Sequence, residues 1–172
     1  KLLLHALLLL TPLSVWAQGI SPERPRAQAH LRQGAISIDG KLNETDWSSV
    51  QPASDFRQQD PHEGQPATQR TEVRFAFDEA ASYVGARMFD DRGAAGVQTR
   101  LVRRDAEINT DYVQVIFDTY HDHIGRLFFL VNPSGVKNDA NGLGGGGDNS
   151  WDPVWEVKTV IDSLGWTAEM RI

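Results

Sequence analysis

With 172 residues, 40% of them hydrophobic and 23% charged, the chain has the length and apolar content of one domain with a real core. A net charge of −6 argues against a nucleic-acid partner, because phosphate binding needs a concentrated basic patch. The absence of cysteine excludes disulfides, thiol chemistry and zinc sites built on Cys.

The N-terminus opens with Lys1 and an apolar stretch from Leu2 to Val15, and Val15-Trp16-Ala17 supplies small residues three and one before a cut. This is the pattern of a cleavable secretory signal peptide over residues 1–17, too short and wrongly flanked for a membrane span. Pro12 also speaks against the alternative, a buried helix. Residues 18–34, with Pro22 and Pro25 and no apolar periodicity, read as a linker. The structured domain is expected over residues 35–172. The sequence starts without Met and stops inside what reads as a strand, as the front part of a longer protein would.

Ala35-Ile36-Ser37-Ile38 reads as a short strand closed by the turn pair Asp39-Gly40. Leu42 and Trp47 could anchor one helical turn capped by Asn43. Residues 51–69, rich in Pro, Asp, Gln and Gly, read as a long rim loop. Thr71 to Phe77 is expected as a strand with Val73, Phe75 and Phe77 inward, and Tyr83 to Phe89 as the next. A short helix is expected around Leu101 to Ala106. Arg100, Arg103 and Arg104, followed at once by Asp105 and Glu107, read as a solvated face.

Tyr112 to Phe117 and Leu127 to Val131 alternate β-branched and aromatic residues around a polar connection that includes Asp118, His121, Asp122 and His123. Period two on both sides of turn formers describes a strand, a connection and a strand. Residues 138–149 read as a Gly-rich loop, and Trp155 to Ile161 with Trp166 to Ile172 as a hairpin around Asp162-Ser163-Leu164-Gly165. Short strands at regular spacing, with no helix-strand alternation, point to an all-β, antiparallel β-sandwich.

Three ordered motifs carry a resemblance. Asp39-Gly40-x-Leu42-x-Glu44-x-x-Trp47, Val73-x-Phe75-x-Phe77-Asp78 with Tyr83-Val84-Gly85, and Asp111-x-Val113-x-Val115-x-Phe117-Asp118 resemble family 9 carbohydrate-binding modules. Arg104-Asp105, Asp118-Thr119-Tyr120-x-Asp122, Val131-Asn132-Pro133-x-Gly135, Trp151-Asp152-x-x-Trp155 and Gly165-Trp166-Thr167-x-Glu169 resemble more closely the subgroup preceding an outer-membrane β-barrel region in bacterial exported proteins. The resemblance implies a jelly-roll-like sandwich, often with bound calcium, that binds sugars in carbohydrate catabolism. It makes Asp39, Gly40, Glu44 and Trp47 a structural motif. It also implies a stacking tryptophan and a hydroxyl-binding arginine, and the aligned positions here hold Ile108 and Leu130. The partner implied is an oligosaccharide or polysaccharide, with a C-terminal outer-membrane barrel in the full-length protein.

Among the tryptophans, Trp47 and Trp166 occupy apolar positions of structured motifs and suit the core. Trp151 and Trp155 flank Asp152-Pro153 after the Gly-rich stretch and are the candidate sugar platforms, with core packing of one of them as the alternative. Asp139, Asn141, Asp148, Asn149 and Asp152 place oxygen ligands around Gly142 and Gly144 to Gly147, a composition that suits calcium. The spacing matches neither the EF-hand loop nor the glycine-aspartate repeat of calcium β-rolls, and a plain Gly loop is the alternative. Asp78, Asp90, Asp91 and Asp111 form a second possible oxygen cluster, with ordinary strand-end turns as the alternative. His121-x-His123 is half of a metal site with no evident third ligand. Asp118, Asp122, Glu156 and Glu169 supply carboxylates, but their spacing does not pair them as glycoside hydrolysis requires. Catalysis in this segment is not expected; were it part of an enzyme, that enzyme would hydrolyse O-glycosyl compounds.

Overall fold

The computed structural model describes residues 26–101, 103–104, 110–143 and 146–172. The expected signal peptide lies outside them, as do Val102, Asp105 and Ala106 of the expected helix and Ile108.

The described chain is a two-sheet β-sandwich. One sheet has the order β1-β2-β3-β9-β8, and the other β4-β5-β6-β7. In the first sheet, β1 (Ala29–Leu31) runs parallel to β2 (Thr71–Phe77), which pairs antiparallel with β3 (Ser82–Phe89). The hairpin of β8 (Glu156–Asp162) and β9 (Gly165–Arg171) completes it through β9 against β3. The second sheet is an antiparallel meander of β4 (Val113–Phe117), β5 (Gly125–Val131), β6 (Lys137–Leu143) and β7 (Gly146–Asp148).

Period-two patterning decides which face goes inward. Val73, Val84, Ala86, Trp166, Ala168 and Met170 from the first sheet meet Val115, Phe129 and Val131 from the second, joined by Val97 and Trp155. Val113, Phe117 and Leu127 pack at the margin of this core. Phe77 departs from expectation: it is 42% exposed, because it stands at the end of β2 where the second sheet no longer covers it.

The outer face of the first sheet is covered too, by residues that were expected to be a linker and a strand. Residues 35–38 make no ladder; Ile36 and Ile38 instead lie with Leu42 against Trp47, Ala76 and Tyr83. The helical turn is α1 (Thr45–Ser49), preceded by Glu44 rather than Asn43, and with no side-chain cap. Upstream, Asp46 accepts the backbone N–H of Gln33 and Gly34 at 2.6 and 3.0 Å. The Arg32 guanidinium pairs with Asp78 at 2.5 Å, and its backbone N–H donates to the Phe77 carbonyl. These bonds, with strand β1, make residues 29–34 part of the folded layer.

One buried carboxylate joins this cover to the sheet. Glu169 accepts N–H donors from the Trp47 indole at 2.8 Å and from the Asp39 and Gly40 backbone at 3.0 and 3.1 Å. The Thr167 hydroxyl donates to the Gly40 carbonyl. Gly40 has φ +86, and a Cβ there would stand 3.0–3.2 Å from Val160, Thr159 and Lys158. The Asp39-Gly40…Trp47 and Trp166-Thr167-x-Glu169 motifs are therefore two halves of one hydrogen-bonded node.

Residues 138–149 also depart from expectation. The stretch 137–143 pairs residue for residue with β5, and Gly146–Asp148 adds a further strand. Gly and Asn have low strand propensity, but a complete ladder against an apolar neighbour outweighs a bias that spans only about 1 kcal/mol.

Candidate functional site

The residues singled out for sugar and calcium lie at the β6–β7 end of the second sheet. Phe129 on β5 sits opposite Asp139 on β6, so Asp139 points into the sandwich. It is fully buried, a costly position for a carboxylate unless it is paired. Its oxygens accept bonds from Arg104 Nη2 at 2.7 and 3.0 Å and from the Trp155 indole N–H at 3.1 Å. Arg104 also reaches Asp152 at 2.5 Å. The guanidinium expected on a solvated face thus bridges a buried and an exposed aspartate, which nothing in the local spacing reveals.

Trp155 is 4% exposed. Its ring meets Phe129 edge-on at 5.3 Å, and the Lys137 ammonium lies 4.6 Å from the ring centroid. With its ring packed and its N–H committed, Trp155 is a core residue, so the platform role expected of it has no free ring face. Trp151 is half-buried and packs on the margin of the core, its ring in a T-shaped contact with Phe129 with centroids 5.8 Å apart. Its backbone follows the Asp148 turn, where the Ser150 N–H and hydroxyl donate to one Asp148 oxygen at 2.9 and 2.6 Å. These donors, the hydroxyl foremost, hold the Asp148 carboxyl below its ordinary range. Asn141 is the register partner of Asp148 across β6 and β7, and both are exposed.

The rim therefore presents a half-buried indole, a guanidinium, two exposed carboxylates and a carboxamide. An indole offers a flat apolar face and the polar groups both accept and donate, which is what a pyranose needs. The same residues fit calcium poorly. Asp139 is satisfied by a guanidinium and an indole N–H, Asp152 shares that guanidinium, and Asp148 spends one oxygen on Ser150. Among the described residues no three carboxylates or histidines converge on one point.

The second aspartate set is divided. Asp78 follows β2 and Asp90 follows β3, so antiparallel pairing puts them at opposite ends of the hairpin. Asp78 accepts the Ala80 and Ala81 N–H, Asp90 that of Arg92 and Asp111 that of Gln98, each as a turn or loop partner. His121 and His123 sit at φ 53 and 60 in the β4–β5 connection, their rings 5.2 Å apart. In that connection Asp118 accepts the Asp122 and His123 N–H, and Asp122 those of Ile124 and Gly125. Glu156 pairs with Arg171, and Glu169 is sealed beneath Trp47. Leu130 lies on the outer face of the second sheet, 9% exposed, between Gln114 and Asn138.

The fold is shared with family 9 carbohydrate-binding modules. One such module, from Caldicellulosiruptor kristjanssonii in complex with glucose, superposes at a TM-score of 0.58 with 20% identity, over 84% of this chain and 68% of that one. A module from the same organism in complex with cellotriose gives 0.58 and 19% over 84% and 67%. No protein-family model matches the sequence, and no curated protein matches it significantly. At such identity the family 9 likeness speaks to the two-sheet architecture; the site must be argued from this chain's own residues.

Proposed function

We propose that the domain is an exported, non-catalytic saccharide-binding module whose binding surface is centred on Trp151. The observation that carries this reading is the sandwich it shares with modules solved with glucose and cellotriose. The half-buried Trp151 indole would supply a stacking face, and the Arg104–Asp152 pair and the Asn141–Asp148 register pair offer groups at the same end of the sheet that can pair with hydroxyls. Export rests on the leader-like residues 1–17, with cleavage after Ala17.

Calorimetric titration of the domain with glucose and cellotriose tests the reading. Binding with a Kd of about 1 mM or tighter, near −4 kcal/mol, is expected, and Trp151→Ala, in protein shown by circular dichroism to be folded, should weaken it about tenfold. Absence of heat with either sugar at millimolar concentration would overturn it.

Leu130 favours a second reading. A leucine buried where an arginine would hold sugar hydroxyls fits a domain that has lost its sugar site and serves as the structural periplasmic part of an outer-membrane barrel protein. Segments of about ten alternating residues following this domain in the full-length protein would support that reading. A catalytic domain there would favour sugar binding.

A further inference from the structure

The connection between β4 and β5 carries two histidines that the saccharide rim does not use. His121 and His123 both adopt the left-handed backbone region, at φ 53 and 60. That region disfavours any residue with a side chain, and such strain gathers where a site needs its groups held in place. Carboxylates pin the backbone here. Asp118 accepts the N–H of Asp122 and His123, and Asp122 accepts those of Ile124 and Gly125. The two imidazoles therefore project from a fixed turn, which lowers the cost of ordering them on a ligand.

Their spacing suits one metal ion. A ligating imidazole nitrogen stands about 2.0–2.1 Å from zinc, which puts the ring centre roughly 3.2 Å from the ion. Two rings sharing an ion at angles between square and tetrahedral then have centres about 4.5–5.2 Å apart. The His121 and His123 centroids are 5.2 Å apart, with the ring planes tilted by 53° rather than stacked. Asp118 Oδ2 lies 3.5 Å from His123 Nδ1, so the carboxylate favours a proton on that nitrogen and leaves Nε2 as the ligand. Both histidines are exposed, within reach of a hydrated ion.

We propose that His121 and His123 together chelate a late first-row divalent cation (zinc, nickel or copper) whose remaining positions are filled by water. Imidazole favours these ions, whereas calcium and magnesium take oxygen ligands. No group of three metal-ligating side chains forms among the described residues, so binding is reversible and weaker than at a four-ligand structural zinc site. The pair shares no residue with the Trp151 rim, so it stands or falls independently of saccharide binding.

The test is titration of the isotopically labelled full chain with zinc chloride, followed by calorimetry and by amide shifts. A Kd of about 0.1 mM or tighter is expected, with shifts concentrated at residues 118–125. Asparagine tolerates the left-handed backbone, so His121→Asn and His123→Asn should stay folded. Each should weaken zinc binding by at least about tenfold, the loss that removing even an outer partner of a metal ligand brings. His62→Ala should leave zinc binding unchanged, and calcium should move none of these amides. The proposal is overturned if millimolar zinc leaves residues 118–125 unmoved, or if both asparagine variants bind zinc as the parent does. Calcium binding at the same residues with equal affinity would also overturn it, since the site would then be one of carboxylates.

Discussion

Glu169 is the residue on which the cover and the first sheet both depend. Burial, opposed by its three N–H donors and reinforced by nearby Glu44, raises its carboxyl above the ordinary glutamate range. A group raised on folding contributes stability that is complete below its unfolded pKa and disappears as pH rises through its folded value. Thermal melts between about pH 4 and 8 should therefore lose this contribution on the alkaline side, and Glu169→Gln should flatten that limb. The variant should also be less stable by about 1–3 kcal/mol, because an amide NH2 would face an N–H donor. An unchanged profile would contradict the sealed carboxylate. Asp78 behaves oppositely. The Arg32 guanidinium, the turn N–H groups and the Tyr83 hydroxyl lower it to about 2, so its contribution is present above its ordinary pKa and lost as pH falls through about 2. Arg32→Ala should move the Asp78 titration upward, as read by carboxyl NMR. For Trp155, replacement by Phe keeps the contact with Phe129 but removes the indole N–H from the buried Asp139, at a cost of about 1–3 kcal/mol in denaturant unfolding. Trp155→Ala should cost about 3–5 kcal/mol.

Among the strands, close approach matters as much as alternation. Gly85 on β3 lies under the cover, where a Cβ would meet Leu42 at 3.0 Å and Trp47 at 3.1 Å. Gly85→Ala should therefore destabilise by about 1–3 kcal/mol although alanine suits a strand better. Gly147→Ala on β7, with Ala140 at an ordinary 3.6 Å, should change stability by less than about 1 kcal/mol. Urea unfolding of the two variants measures the difference, and equal effects would disprove the packing account. The strands with strong alternation, β2, β3, β4, β5, β8 and β9, were legible from their residues. Strand β6 was not, because Asn and Gly carry no periodic signal and its pairing is dictated by β5.

Across the described residues, the first sheet is sandwiched between the second sheet and residues 36–47. Removing the residues before Gln51 would expose Ala76, Tyr83 and the Glu169 carboxylate together. The shortened chain should lose its cooperative melt by circular dichroism, since uncovered apolar surface and an unpaired buried acid both destabilise. A truncated protein melting at the same midpoint would show the cover to be an appendage.

The alternating strands and the absence of cysteine chemistry follow from the sequence alone, since period two and composition are local properties. The tryptophans divide on different grounds. Trp151 and Trp155 sit in one short motif with similar neighbours, yet one lines a rim and the other fills the core. Likewise Arg104 reads as a surface charge until Asp139, 35 positions away, is folded beneath it. Contacts across that separation depend on which strands pair and which face turns inward, and only the assembled sandwich sets both.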